Sequence, residues 1–102
     1  MKVWKSCRFD TLYYHDGADV NDECDVVIDG EYITVSYDAD GLRVTYFGLM
    51  KGNGHFELQA PDVNGRATLH RFDDGRTLEG YWVEGDLKGM WRITLHGAAG
   101  IA

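Results

Sequence analysis

The stretch HFELQAPDVNGRATLHRFDDGRTLEGYWVE, residues 55–84, holds three alternating apolar runs punctuated by Asn64-Gly65 and Asp74-Gly75. Gly has no Cβ and Asp or Asn tolerates left-handed backbone, so both dipeptides favour the positive φ angles of tight hairpin turns. Successive strand residues point to opposite faces, so each turn also fixes a register. If Asp74-Gly75 is a two-residue turn, Asp73 faces Arg76. Counting outwards, Leu69 then faces Gly80, Ala67 faces Trp82, His70 faces Glu79 and Thr68 faces Tyr81. A four-residue loop at Pro61–Asn64 sets Leu58 opposite Ala67 and Phe56 opposite Leu69. It also sets His55 opposite His70 and Glu57 opposite Thr68. The two turns agree on one sorting of side chains.

The same punctuation runs through the rest of the chain. Asp16-Gly17, Asp29-Gly30, Asp40-Gly41 and Asn53-Gly54 complete a series of Asp/Asn-Gly dipeptides. Between them lie runs rich in Val, Ile, Thr, Tyr, Phe and Trp, which are strand formers. Strands are expected over 25–28, 31–38, 42–48, 55–60, 66–72, 77–84 and 89–96. A first strand is expected over 2–9, with Val3, Cys7 and Phe9 on one face. Residues 10–14 fit helical spacing as well as strand spacing. From Asp16 to Asp25 the chain carries Asp16, Asp19, Asp22, Glu23 and Asp25, and reads as a solvated loop in which Asp16-Gly17 makes no hairpin. For the last hairpin, pairing Trp82 with Trp91 keeps Ile93 and Leu95 on the apolar side. Tyr81 then meets Arg92 and Glu79 meets Thr94. The tail, residues 97–102, reads as weakly structured.

These readings predict one all-β domain over residues 1–102: an antiparallel meander of about eight short strands, each near the usual strand length. Phe56, Leu58, Ala67, Leu69, Leu78, Trp82, Trp91, Ile93 and Leu95 share one face with Ile33, Val35, Tyr37, Val44 and Tyr46. With few helix candidates to cover it, the sheet is expected to curl into a closed or partly closed barrel, a two-layer sandwich being the alternative. Enclosing the Trp-rich face buries the more apolar area, so that face is expected inside.

Composition narrows the function. A net charge of −7 argues against nucleic acid and anionic lipid as partners, because both need a basic surface. Met1 to Ser6 is followed by charged residues and not by an apolar run, so a cytoplasmic location is expected. In a reducing compartment Cys7 and Cys24 are expected to be free and buried. No His-Glu-x-x-His, Cys-x-x-Cys or Gly-rich helix-opening motif occurs, and the acid cluster lacks calcium-loop spacing. No catalytic residue, metal site or cofactor is therefore expected.

The candidate binding residues are His55, Glu57, His70, Glu79, Tyr81 and Arg92, which parity gathers on the polar face. Turned inwards, they could hold a small ligand or do acid–base work. Turned outwards, they are the ordinary solvated side of a sheet. Tyr32 and Phe47 join them there by parity.

Residues 78–91 run Leu-Glu-Gly-Tyr-Trp-Val-Glu-Gly-Asp-Leu-Lys-Gly-Met-Trp. This resembles one MORN repeat, aromatic-Glu-Gly-x-Trp-x-x-Gly-x-x-x-Gly-x-Gly. Glu79, Gly80, Trp82, Gly85 and Gly89 match it, while Leu78 replaces the leading aromatic and Trp91 the final glycine. The resemblance implies a β-hairpin scaffold with a non-catalytic contact role. In size and strand number the chain is also similar to a minimal lipocalin- or avidin-like barrel. The expected function is a small cytoplasmic binding or interaction module without catalysis, forming a homo-oligomer such as a homodimer, with a protein or a small apolar or aromatic ligand as partner. The alternative is a ligand-binding barrel, or an enzyme with the His/Glu face inside it.

Overall fold

Turn chemistry sets the topology of the computed structural model, which describes residues 1–73, 75–96 and 100–101. The strands are β1 (Lys2–Tyr13), β2 (Ala18–Asp29), β3 (Tyr32–Ala39), β4 (Leu42–Gly52), β5 (His55–Ala60), β6 (Gly65–His70), β7 (Thr77–Glu84), β8 (Leu87–Thr94) and β9 (Gly100–Ile101). Among the described residues, β1 to β8 pair antiparallel in sequence order, and β1 pairs with both β8 and β2, which closes a barrel. No sandwich forms. Closure removes the free edges that an open meander of this kind would expose.

The registers around β6 are those that the turns dictate. His55 faces His70, Leu58 faces Ala67, Ala67 faces Trp82 and His70 faces Glu79. Between Ala60 and Gly65 the chain makes a short 3-10 turn at Pro61–Val63, with Asn64 left-handed at φ 51°. Asp74 lies outside the described residues, so the geometry of the Asp74-Gly75 turn does too.

The last hairpin differs by two residues from expectation. Glu84 faces Leu87, so Trp82 meets Gly89, Gly80 meets Trp91, and Glu79 meets Arg92. The turn is Gly85-Asp86, with Gly85 at φ 59°. A shift of two preserves which face each residue takes. It also places a glycine opposite each indole. A Cβ at Gly80 would collide with the Thr68 carbonyl, and one at Gly89 with the Leu12 carbonyl. Glycine at such positions lets neighbouring backbone approach closely.

The acidic segment is a correction. It forms the first half of β2, and Asp16-Gly17 turns the β1–β2 hairpin, with Leu12 opposite Ala18 and the Tyr13 N–H bonded to the Gly17 carbonyl at 3.1 Å. A charge run looks like a loop in one dimension. Here the side chains of Asp19, Asp22 and Glu23 are exposed while the backbone pairs with β1.

β1 is also longer than expected and changes face. Lys5 and Ser6 oppose the single residue Asp25, which makes a bulge in which Ser6 takes φ 51° and donates its N–H to Asp25 Oδ1 at 2.9 Å. The extra residue shifts parity, so Trp4 points inwards together with Cys7 and Phe9, and Val3 does not share their face. Gly100 and Ile101 pair with Val3 and Lys2, in a tail expected to be weakly structured. Residues 97–99 and 102 lie outside the described residues.

The core is the Trp-rich face, as the area argument requires. Val26, Ile33, Val35, Phe56, Leu58, Leu69, Leu78, Ile93 and Leu95 fill the barrel towards one end. Cys7 and Cys24 are buried, free and directly opposed.

Candidate functional site

Interior packing is uneven along the barrel axis. At the end carrying the β1–β2, β3–β4, β5–β6 and β7–β8 connections, the aliphatic core gives way to aromatic rings and carboxylates. Trp91 is the hub of these rings. Tyr46 stands edge-on to it at 4.9 Å between centroids, Phe9 at 5.3 Å, and Trp82 stacks on it at 6.2 Å. Tyr13 meets Trp82 edge-on at 5.5 Å, and Tyr37 packs on Phe9 at 5.1 Å. Such offset and edge contacts suit aromatic quadrupoles and hold the rings rigid.

Above these rings is a cleft of about 960 Å³. Its opening follows from the strand ladders. β2 and β3 pair only as far as Asp25 and Ser36, after which residues 18–24 pair with β1 alone and residues 37–39 with β4 alone. The wall therefore splits. Arg43 clasps the base of the split, bonding Asp25 at 2.8 Å and Asp38 at 3.2 Å. Burial pushes the pKa of the Asp25 carboxyl up, but the Ser6 N–H, Arg43 and Lys5 outweigh it and hold the pKa below the usual value.

Glu84 stands inside this mouth. It accepts a hydrogen bond from the Tyr46 hydroxyl at 2.7 Å and one from Tyr37 at 3.3 Å. Burial, with the Glu84 charge adding to it, pushes both phenol pKa values well above the ordinary range, so both stay protonated and donating at neutral pH. Gly65, paired with Glu84 across the ladder, leaves the space that the Tyr46 hydroxyl occupies. Tyr13 donates to Asp19 at 2.7 Å, and that bond together with burial pushes its pKa up to about 12. Trp82 also lines the cleft and is 4% exposed, yet its Nε1–H has no partner among the described residues. A buried donor without an acceptor is costly and uncommon.

The six residues singled out from the sequence lie elsewhere, on the outer surface. His55 Nδ1 and His70 Nε2 are 2.7 Å apart, His55 Nε2 lies 3.4 Å from Glu57, and Arg92 Nε lies 3.5 Å from Glu79. Tyr81 is exposed beside Met90. His70 and Glu79 border a smaller hollow of about 450 Å³ at the opposite end, with Phe72 and Arg71. An inward His/Glu face is not adopted, because burying the alternating Phe56, Leu58, Leu69 and Leu78 sends their neighbours out. The mouth was missed because its two acidic walls belong to different strands. One signal was legible: Glu84 shares the parity of Leu78 and Trp82, and so is a charge on the apolar face.

Compared with protein-family models, curated proteins and solved structures, the chain matches none.

Proposed function

We propose that this barrel is a binding protein that takes a small organic ligand in the cleft at its mouth. One observation carries the reading: the core stops short of that end and leaves a cleft of about 960 Å³ walled by fixed aromatic rings, with a tyrosine-held carboxylate inside. Ligand sites are commonly concavities of about 300–1,000 Å³, mostly apolar, with a few placed polar groups. Rigid rings offer such a ligand contact area at little entropic cost.

The test uses the neutral fluorophore N-phenylnaphthylamine, which brightens in apolar surroundings. Saturable binding of one probe per chain is expected. It should vanish in Ala39→Trp, which fills the mouth from the inward side of β3, and in Val63→Trp from the opposite rim. Binding that never saturates, or that persists in natively melting versions of both variants, would overturn the reading.

A second reading, association between copies of this chain, has support of its own. Tyr81, Met90 and Leu12 are exposed neighbours across β7, β8 and β1, and make an apolar strip on the outer wall. Light scattering across a concentration series tests it, with Met90→Lys expected to abolish any dimer. A monomer at the highest concentration removes this reading.

A further inference from the structure

The charge of the mouth narrows the ligand class. Among the described residues, the cleft is lined by Asp19, Asp22, Glu23, Asp25, Asp38, Asp40 and Glu84, against Arg43 as the single basic one. Arg43 is already engaged by Asp25 and Asp38. Among the described residues, Asp19, Asp22, Glu23, Asp40 and Glu84 have no cationic partner. Carboxylates around a concave, partly dry site focus a negative potential into it. An anion is excluded by that field, and a neutral ligand leaves it unused.

Two further observations separate an organic cation from a metal ion. Among the described residues, no three His, Cys, Asp or Glu side chains converge as a metal site requires. The carboxylates are instead spread around rings whose faces attract cations, chiefly Trp82, Trp91, Tyr37 and Phe9.

We infer that the ligand is an organic cation: a protonated amine or guanidine on an apolar, preferably aromatic body. Its charge is met by Glu84 and its body by the indoles. Tyr37 and Tyr46 hold the Glu84 carboxylate in place, and their hydroxyls donate to it without neutralising it. Asp19 and Asp22 supply the approach field from the β2 wall. This inference rests on the ligand-binding reading above and specifies the ligand's chemistry.

The experiment titrates the full chain by calorimetry with naphthylmethylammonium, naphthylmethanol and naphthylacetate, three probes of one body and three charges. The ammonium is expected to bind at least about tenfold more tightly than the alcohol, and the acetate to bind least, since a desolvated cation–π contact alone reaches about that factor. Added salt should erode the ammonium's advantage and leave the alcohol unchanged. Glu84→Gln should lower the ammonium's affinity, and so shrink its advantage, without weakening the alcohol. Equal binding of ammonium and alcohol, or an ammonium advantage insensitive to both salt and Glu84→Gln, overturns the cation inference and leaves the ligand-binding reading standing. Failure of all three probes, together with failure of N-phenylnaphthylamine, overturns both.

Discussion

The Tyr46 hydroxyl, on β4, donates a 2.7 Å hydrogen bond to the Glu84 carboxylate, on β7, across the inside of the barrel. Tyr46 itself is wholly buried. The bond links strands that are not neighbours in the sheet, and Tyr37 adds a weaker one at 3.3 Å. Removing the hydroxyl leaves Glu84 with one donor and a small void. Tyr46→Phe is therefore expected to cost about 1–3 kcal/mol, and Tyr37→Phe, on the longer bond, less. Chemical denaturation of the two variants checks the order.

Gly65 makes that bond sterically available. A Cβ there would overlap the Tyr46 hydroxyl. Gly65→Ala is expected to destabilise by about 1–3 kcal/mol as an overpacked site. In the double variant with Tyr46→Phe the penalty should shrink, because the overlapping oxygen is gone. A double-mutant cycle with additive costs would contradict the proposed contact.

Alkaline pH should unfold the mouth first. Tyr13 moves from an ordinary 10.0 to about 12 on folding, and Tyr37 and Tyr46 move in the same direction. A folded pKa above the unfolded one means that the proton is held more tightly in the fold. The stabilisation is complete below pH 10 and declines as pH rises towards and through about 12. Tyrosinate absorbance against pH should show these three titrating late, and Tyr13→Phe should flatten the decline.

The acid limb runs the other way. The Asp25 carboxyl titrates below its usual 3.8, burial opposing and the Ser6 N–H, Arg43 and Lys5 prevailing; Asp10 is also lowered, chiefly by the Asn21 N–H. Their stabilisation is present above pH 3.8 and is lost as pH falls through the lower folded values. Asp25→Asn should cost about 1 kcal/mol near neutrality, since Arg43 and Lys5 are partly solvent-screened, and should blunt the acid dependence. Urea denaturation at stepped pH measures both effects.

Ser6 holds a left-handed φ of 51° at the bulge, its backbone N–H donated to Asp25. Ser6→Gly should stabilise by up to about 1 kcal/mol, and a β-branched Ser6→Val should destabilise by about 1 kcal/mol or more. Thermal melts of the pair decide it.

Much of the fold was legible because turn residues and side-chain alternation are local properties. Asn64-Gly65 and Asp74-Gly75, with the parity of Phe56, Leu58, Ala67 and Leu69, sufficed to register β5, β6 and β7. The β7–β8 register slipped by two because either pairing keeps the tryptophans inside, and only the fit of Gly80 and Gly89 against their neighbours selects one. The bulge at Ser6 and the strand character of Ala18–Cys24 were not legible. Both arise where β1 and β2 meet, and nothing in either segment alone announces the other.

Sequence alone thus determined an all-β meander, its inner and outer faces, and the placement of the Trp-rich face within. The expected barrel forms, and tertiary structure alone decided that β1 closes it by pairing with β8, that β2 and β3 part above Asp25, and that Glu84, Tyr37 and Tyr46 converge. Alternation and turn preference act over a few residues, whereas closure and convergence depend on strands brought together from distant parts of the chain. The pairing of Tyr46 with Glu84, 38 residues away, belongs to that second kind.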